Sequence, residues 1–352
     1  MSVPTPVALS ARDGSGTSTP VRFDALLVVS FGGPESMDDV MPFLRNVTRG
    51  RGIPPERLRS VARHYEQFQG TSPINAQNRA LIQALEARLA DVGPALPIYW
   101  GNRNWHPLLA DTLRQMAADG VEDALAFVTS AYSCYSCCRQ YREDIQRARD
   151  ELGPDAPRVA KLRAFHNHPG FIEANARGLR NALDRLPPSR RAAARIAFTA
   201  HSVPLGMARS SPYETQLLET ARLVAGQVEH PHWRLVYQSR SGTPSQPWLG
   251  PDIADHLREL RDAGVTDVVV APIGFISDHM EVVYDLDVAA QSIADELGLN
   301  LVRAATPGTH PAFVEMIREL ILERTSERAA PRYLGTAGPD HDVCPPDCCL
   351  PG

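Results

Sequence analysis

His201 closes the apolar run Phe198-Thr199-Ala200 and is followed at once by Ser202-Val203-Pro204. Proline cannot donate to a strand ladder, so this run reads as a strand that stops and leaves the imidazole at its carboxyl end. Glu281 lies in a second segment, Gly274-Phe275-Ile276-Ser277-Asp278-His279-Met280-Glu281, where a buried strand over 268–273 opens through glycine into a helix. An imidazole titrates near neutrality and binds borderline metals, and a carboxylate beside it attracts cations or takes protons. Asp278 and Asp285 stand three before and four after Glu281, a spacing that predicts one shared helical face. Phe275, Ile276, Met280, Val282 and Val283 in the same stretch predict burial, and buried acids repel one another. The pattern therefore reads as a cation path or proton relay. The plain alternatives are a structural histidine at a strand end and a solvated acidic face.

A second set of chemistry-bearing residues is the cysteines. All six fall in two tight groups, Cys134, Cys137 and Cys138, then Cys344, Cys348 and Cys349. In a reducing compartment disulfides are disfavoured, and such groups point to metal or redox roles.

The elements that must position these groups follow from a strand–helix rhythm. Apolar runs predict strands over 25–30, 96–100, 124–129, 158–162, 195–200, 234–238, 267–273 and 300–303. Amphipathic helices are predicted between them, among others over 76–90, 108–118, 213–227 and 252–262. Such alternation predicts α/β architecture, two similar Rossmann-like domains, each with a mostly four-stranded parallel sheet flanked by helices. The polar, proline-containing stretch Leu186-Pro187-Pro188-Ser189 places the division. The expected organisation is a disordered tail over 1–22, domains over 23–186 and 187–308, a helix over 309–328 that packs back on the first domain, and a cysteine-containing tail over 329–352. In an open sheet of this kind ligands bind at the carboxyl edge, where His201 and Glu281 would meet.

Composition narrows the function. The 352 residues suffice for two cores, and 43% hydrophobic with 22% charged residues is ordinary for a soluble enzyme. A net charge of -5 and the lack of a basic tract give no reason to expect nucleic acid. Lys161 is the only lysine, which removes the P-loop and leaves little room for Schiff-base chemistry. No run approaches the roughly 20 apolar residues of a membrane span, and the N-terminus does not resemble a signal peptide, so a cytoplasmic enzyme is expected.

Weaker signals complete the set. Gly32-Gly33-Pro34 reads as a turn after the first strand that lets backbone approach a ligand. Gly70-Thr71-Ser72-Pro73-Ile74-Asn75 reads as a helix start, with Ser72 as its cap or as a ligand contact. Tyr141 follows Cys138-Arg139-Gln140 on a helix and could equally be core. Arg49 and Arg51 offer guanidinium forks suited to carboxylates, or form a flexible basic loop.

Taken together, Leu26–Pro34, Gly70–Asn75, Tyr99–Pro107, Ser130–Glu143, Phe198–Pro204, Gln238–Asp252 and Pro272–Asp287 resemble the ferrochelatase family, in the family's order. The resemblance implies insertion of ferrous iron into a porphyrin held between two Rossmann-like domains. It implies that His201 and Glu281 are the pair at the iron, that Asp278 and Asp285 form an acidic route, and that the helix after Glu281 carries a π-bulge. Ser72, Tyr141, Phe31 and Arg49 match positions expected to meet the porphyrin. Some bacterial members carry an iron-ligating tyrosine where this chain has Phe31, so that ligand is excluded here. The segment after Met41 carries Arg45, Arg49 and Arg51 in place of a long apolar lip. A basic entrance favours coproporphyrin III, with four propionates, over protoporphyrin IX, with two. A coproheme decarboxylase is then the implied downstream partner. The resemblance also implies a [2Fe–2S] cluster on Cys138, Cys344, Cys348 and Cys349, with Cys134 or Cys137 as substitutes for Cys138. A zinc site and an inert tail are the other readings of those thiols. A haem or porphyrin carrier with a redox-sensing cluster is the rival from another functional class.

Overall fold

A computed structural model describes residues 22–241 and 245–351. The expected disordered segment 1–22 lies, but for Arg22, outside these residues. Eight strands form two parallel sheets. The first contains β1 (Ala25–Ser30), β2 (Ile98–Asn102), β3 (Asp123–Val128) and β4 (Arg158–Lys161) in the order β2-β1-β3-β4. The second contains β5 (Arg195–His201), β6 (Trp233–Gln238), β7 (Asp267–Ala271) and β8 (Asn300–Arg303), in the matching order β6-β5-β7-β8. The central strands are buried on both faces, as parallel sheets under helices require. Every residue of β1 and of β7 is buried.

All eight predicted strands exist. The second runs two residues further than expected, because Gly101 and Asn102 pair with Val29 and Ser30. The seventh stops at Ala271, where Pro272 removes the next donor. Helices Ile74–Val92, Leu109–Ala118, Tyr213–Gln227 and Ile253–Asp262 correspond to those predicted, and Asp252 caps the last through Ala254 N–H at 2.8 Å.

The chain changes sheet between β4, which ends at Lys161, and β5, which starts at Arg195, an interval that contains the expected division at 186/187. Helix Pro169–Asp184 precedes that point, yet it packs on β7, β8 and helix Tyr213–Gln227 of the second sheet. Its inward face of Phe171, Ile172, Leu179 and Leu183 belongs to a core that residues of both sheets share. The last helix, Pro311–Thr325, packs on both Pro169–Asp184 and Ile74–Val92 and so bridges the halves. Gly170 makes this approach close, since a Cβ there would lie 2.3 Å from the Ala312 carbonyl oxygen.

Both sheets have a switch point where the chain turns to opposite sides, between β1 and β3 and between β5 and β7. Ligands in such folds bind outside the strand ends at these points. Phe31–Gly33 leaves the first switch point. His201 and Gly274 leave the second.

Candidate active site and thiol cluster

His201 is the last residue of β5, and Tyr213 Oη donates to its backbone carbonyl at 3.0 Å. From β7 the chain turns at Pro272 and passes over β5, with Gly274 N–H donating to Thr199 O at 3.0 Å. Any Cβ on Gly274 would lie 2.6 Å from Ala200 Cα, so only glycine allows this crossing. The crossing delivers the short helix Met280–Tyr284 to the end of β5, and His201 Nε2 stands 3.3 Å from Glu281 Oε1. The Ser202 carbonyl accepts from His201 Nδ1, which leaves Nε2 aimed at Glu281. Gln238, at the end of β6, donates to the Glu281 carbonyl and fixes the helix start.

Burial alone would push the His201 imidazolium down, but the Glu281 charge and hydrogen bond outweigh it and raise His201 to about 9. Burial likewise pushes Glu281 up, and His201 pulls it below the usual carboxylate range, to about 2. The side chains are 30% and 51% exposed, so the pair faces open space and its ionic contact adds little to stability. What it supplies is one mobile proton beside a carboxylate. Asp285 opens a π-helical turn, Asp285–Ala290, immediately after. Burial raises its carboxyl to about 6, against a hydrogen bond from Ser239 Oγ. The expected π-bulge is present, and Asp285 follows Glu281 as a group able to exchange protons near neutrality.

Asp278 does not share that face. It precedes the helix and binds Arg303 through both oxygens at 3.2 Å, and Thr306 Oγ1 at 3.1 Å. The helix starts two residues later than i, i+3 spacing assumed, with His279 as its cap accepting from Glu281 N–H at 3.2 Å. Asp285 alone of the two aspartates follows Glu281 along the helix, and Asp278 is tied to Arg303 and Thr306 instead. His279, Gln238, Ser239 and Tyr213 went unnoticed in the sequence. Only His279 carried a signal there, as a polar residue just before a helix.

Next to the pair, helices Met37–Val47 and Pro55–Glu66 pack Val40, Phe43, Leu44 and Tyr65 into an apolar cluster that also holds Met280. Phe31 and Tyr284 are half-buried against it. The Phe31 ring meets Phe43 edge-on at 6.3 Å, and Tyr284 stacks on His64 at 3.8 Å. Arg45, Arg49 and Arg51 stand exposed at the outer end of this cluster, and none forms an ion pair among the described residues. Ser72 is buried under Gly33, where a Cβ would lie 2.7 Å from the serine Cβ. Contrary to expectation it caps no helix, because the chain turns into Ile74–Val92 at Pro73 with no side-chain cap. Tyr141 is also buried, with the Arg103 guanidinium 4.4 Å over its ring. Neither hydroxyl is presented at the surface.

The two cysteine groups meet. Cys134, Cys137 and Cys138 lie at the first switch point, where β3 enters a π-helical turn, Tyr135–Arg139. The C-terminal segment is strapped over them. Asp340 accepts from Ser133 Oγ at 2.6 Å, Arg139 donates to the carbonyls of Pro346 and Cys348 at 2.8 and 2.9 Å, and Arg142 donates to Cys344 O at 3.3 Å. The neighbouring Cys138 thiol lowers Cys344 to about 7 and is itself left raised. Cys348 and Cys349 Sγ are 3.4 Å apart. Thiols from distant parts of the chain that converge with one depressed pKa suit a soft metal centre. His341, Cys344 and Cys348 form the one group of three or more potential ligands found among the described residues, with donor atoms all within 4.8 Å of one another.

Comparison with known proteins agrees with this geometry. A family model described as Ferrochelatase matches residues 23–325. The chain is 55% identical to a ferrochelatase of Rhodopirellula baltica, covering 93% of each. It is 52% identical to the coproporphyrin III ferrochelatases of Streptomyces coelicolor, covering 93% of each, and of Nocardia farcinica, covering 93% of this chain and 97% of that one. Among solved structures, SirB from Bacillus subtilis with Fe3+ superposes with a TM-score of 0.53 at 14% identity over 86% of this chain and 97% of that one, which speaks to the shared fold alone. With a strand-end histidine and a helix-borne glutamate facing each other at the switch point of a two-sheet chelatase fold, the chain belongs to the ferrochelatase family.

Proposed function

We propose that this chain inserts ferrous iron into coproporphyrin III to give iron coproporphyrin III on a route to haem. The observation that carries this reading is the His201–Glu281 pair at the second switch point, next to the apolar cluster. Insertion exchanges two pyrrole protons for Fe2+, so charge balances only if the site removes both. At neutral pH the pair holds one proton, on His201. Iron arriving at Glu281 opposes that imidazolium and drives its proton out to solvent, to which the side chain is 30% exposed, and neutral Nε2 is then free to take a pyrrole proton. The second proton leaves through Glu281 and Asp285, whose carboxyl at about 6 passes it on toward Ser239. Phe31 and Tyr284 hold the macrocycle plane. Phe31 has no phenol oxygen, so the iron gains no ligand from that position.

The names of the relatives and the free guanidinium groups at the rim support the four-carboxylate substrate. Arg45, Arg49 and Arg51 offer forks to propionates, where an apolar lip would favour a less charged porphyrin. The product keeps four carboxylates, so a coproheme decarboxylase is the downstream partner in this reading. No helix of the described residues is long and apolar enough to cross a membrane, and this accords with a cytoplasmic enzyme. The tail, in the same reading, holds a [2Fe–2S] cluster on a donor pool of Cys138, Cys344, Cys348 and Cys349. When bound, the cluster ties the tail to the first switch point or reports redox state, since iron insertion transfers no electrons.

The test is anaerobic insertion of Fe2+ into coproporphyrin III and protoporphyrin IX, followed by visible absorbance. Faster insertion into coproporphyrin III is expected, and Arg49→Ala with Arg51→Ala should shrink the preference roughly 3- to 10-fold, as loss of exposed charge contacts would. A protoporphyrin IX preference would overturn the substrate. Tight binding of finished haem with no insertion would favour a carrier.

A further inference from the structure

We propose that Arg303 and Gln77 are positioning residues of the insertion site. Arg303 staples the segment around Glu281 to β8 on both sides, and Gln77 ties the start of that segment to the first half of the molecule. This rests on the reading that Glu281 acts with His201 in iron insertion. No hydrogen bond or ion pair joins either residue to His201 or Glu281 among the described residues, so each acts through Asp278 or Asp287.

Helix Met280–Tyr284 has only 5 residues, too few to hold its own place, so its position comes from what grips the chain on either side. Arg303 is the last residue of β8, in register with Val270 of β7. Its guanidinium donates to the two oxygens of Asp278 at 3.2 Å each, and to those of Asp287 at 2.5 and 3.0 Å. These carboxylates stand three residues before Glu281 and six after it. Two paired carboxylates on one planar fork make a geometry that a lysine ammonium cannot reproduce. Arg303 and Asp278 are 20% and 18% exposed, so their contact is sheltered from screening. Thr306 Oγ1 adds a bond to Asp278 at 3.1 Å, and Gly308 N–H donates to Ile276 O at 2.9 Å. All of these anchors belong to the second half.

The first half supplies the opposing hold. Gln77 lies on helix Ile74–Val92, and its Oε1 accepts from Asp278 N–H at 2.8 Å. Asp278 is thus held by its carboxylate from one half and by its N–H from the other. Further along, Met280 lies among Val40, Phe43 and Leu44, and Tyr284 stacks on His64. Glu281 sits within this doubly held stretch, while His201 belongs to β5. Their meeting therefore depends on anchors from both halves, and a misplacement of about 1 Å can cost about 10²-fold in rate.

The experiment uses the full chain and measures single-turnover metallation of bound coproporphyrin III by Fe2+, with the porphyrin Kd and thermal unfolding recorded for each variant. Porphyrin affinity should hold while the metallation rate falls about 10- to 100-fold in Arg303→Met. Arg303→Lys should recover little of it, because one ammonium cannot serve two carboxylates as the fork does. Gln77→Met should lose about 5- to 10-fold, the effect of one missing hydrogen bond, and Gln77→Glu, which keeps an acceptor oxygen, should recover most of the rate. Unchanged rates in Gln77→Met and Arg303→Lys with porphyrin bound would overturn the proposal. Rates that fall only in step with porphyrin binding or with the folded fraction would overturn it too, since a merely structural role gives that result. His201→Ala in the same assay separates the two readings. Normal metallation by His201→Ala would sink the pair itself, whereas slow His201→Ala beside normal Arg303 and Gln77 variants would sink the positioning alone.

Discussion

His201 ends one strand and Glu281 follows the end of its neighbour in the same sheet, whereas Cys344 reaches Cys138 across most of the chain's length. The first pair is placed by the sheet register, one glycine crossing and the side chains that anchor the Glu281 helix. The thiol group depends on a strap of side-chain hydrogen bonds to a segment with little regular structure of its own. A site on rigid elements stays formed with or without its ligand. A site that ends on a tail draws its order from the strap and from whatever metal it holds. Damage to the sheet should therefore abolish one function and spare the other, and damage to the strap should do the reverse.

The largest break in this contrast comes from Gly274→Val. The new side chain would meet Ala200 at 2.6 Å, with backbone as the obstacle. Thermal or denaturant unfolding should show a loss of about 1–3 kcal/mol. Iron insertion should fall far more than stability does, because Glu281 moves off His201, while the tail's metal content should persist. Arg139→Ala acts on the other centre by removing donors to the carbonyls of Pro346 and Cys348. Loss of bonds from a charged donor costs about 1.5–3 kcal/mol locally. The chain should surrender its tail metal to a chelator faster and keep near-normal insertion. If Arg139→Ala were to stop insertion, the two centres would not be independent.

A smaller effect sharpens the chemistry. Glu281 lifts His201 from its ordinary 6.5 to about 9. Because the folded value is raised, the pair's contribution to stability is complete below about pH 6.5 and is lost as pH rises through 9. Glu281 is lowered from 4.5 to about 2, so its side of the same interaction is complete above about 4.5 and lost as pH falls toward 2. NMR titration of His201 should show the raised value, and Glu281→Gln should lower it, since burial is then opposed only by the Ser202 carbonyl and Asp285. A titration unchanged by Glu281→Gln would mean that the two groups do not share a proton.

The sequence carried the fold nearly whole because buried parallel strands and amphipathic helices each leave a strong period, and proline marks their ends. His201 and Glu281 were legible for the same reason, each standing where an apolar run stops. Asp278 was misplaced because i, i+3 spacing presumes that the helix has begun, and its start at Met280 hangs on the His279 cap and Gln238, a residue of another strand. Helix Pro169–Asp184 packs on β7, β8 and helix Tyr213–Gln227, a contact that a proline-rich stretch cannot foretell because packing decides which sheet a helix covers. Ser72 and Tyr141 are both buried, which no local pattern in the sequence announced.

The central claim is that the His201–Glu281 pair performs the insertion, and single-turnover metallation of bound coproporphyrin III by His201→Ala tests it most directly. The account predicts that the variant folds and binds the porphyrin, and that the metallation rate falls by about 10²–10⁴ when the positioned base is lost. Metallation at a near-normal rate with porphyrin bound would contradict it and move the chemistry away from this pair.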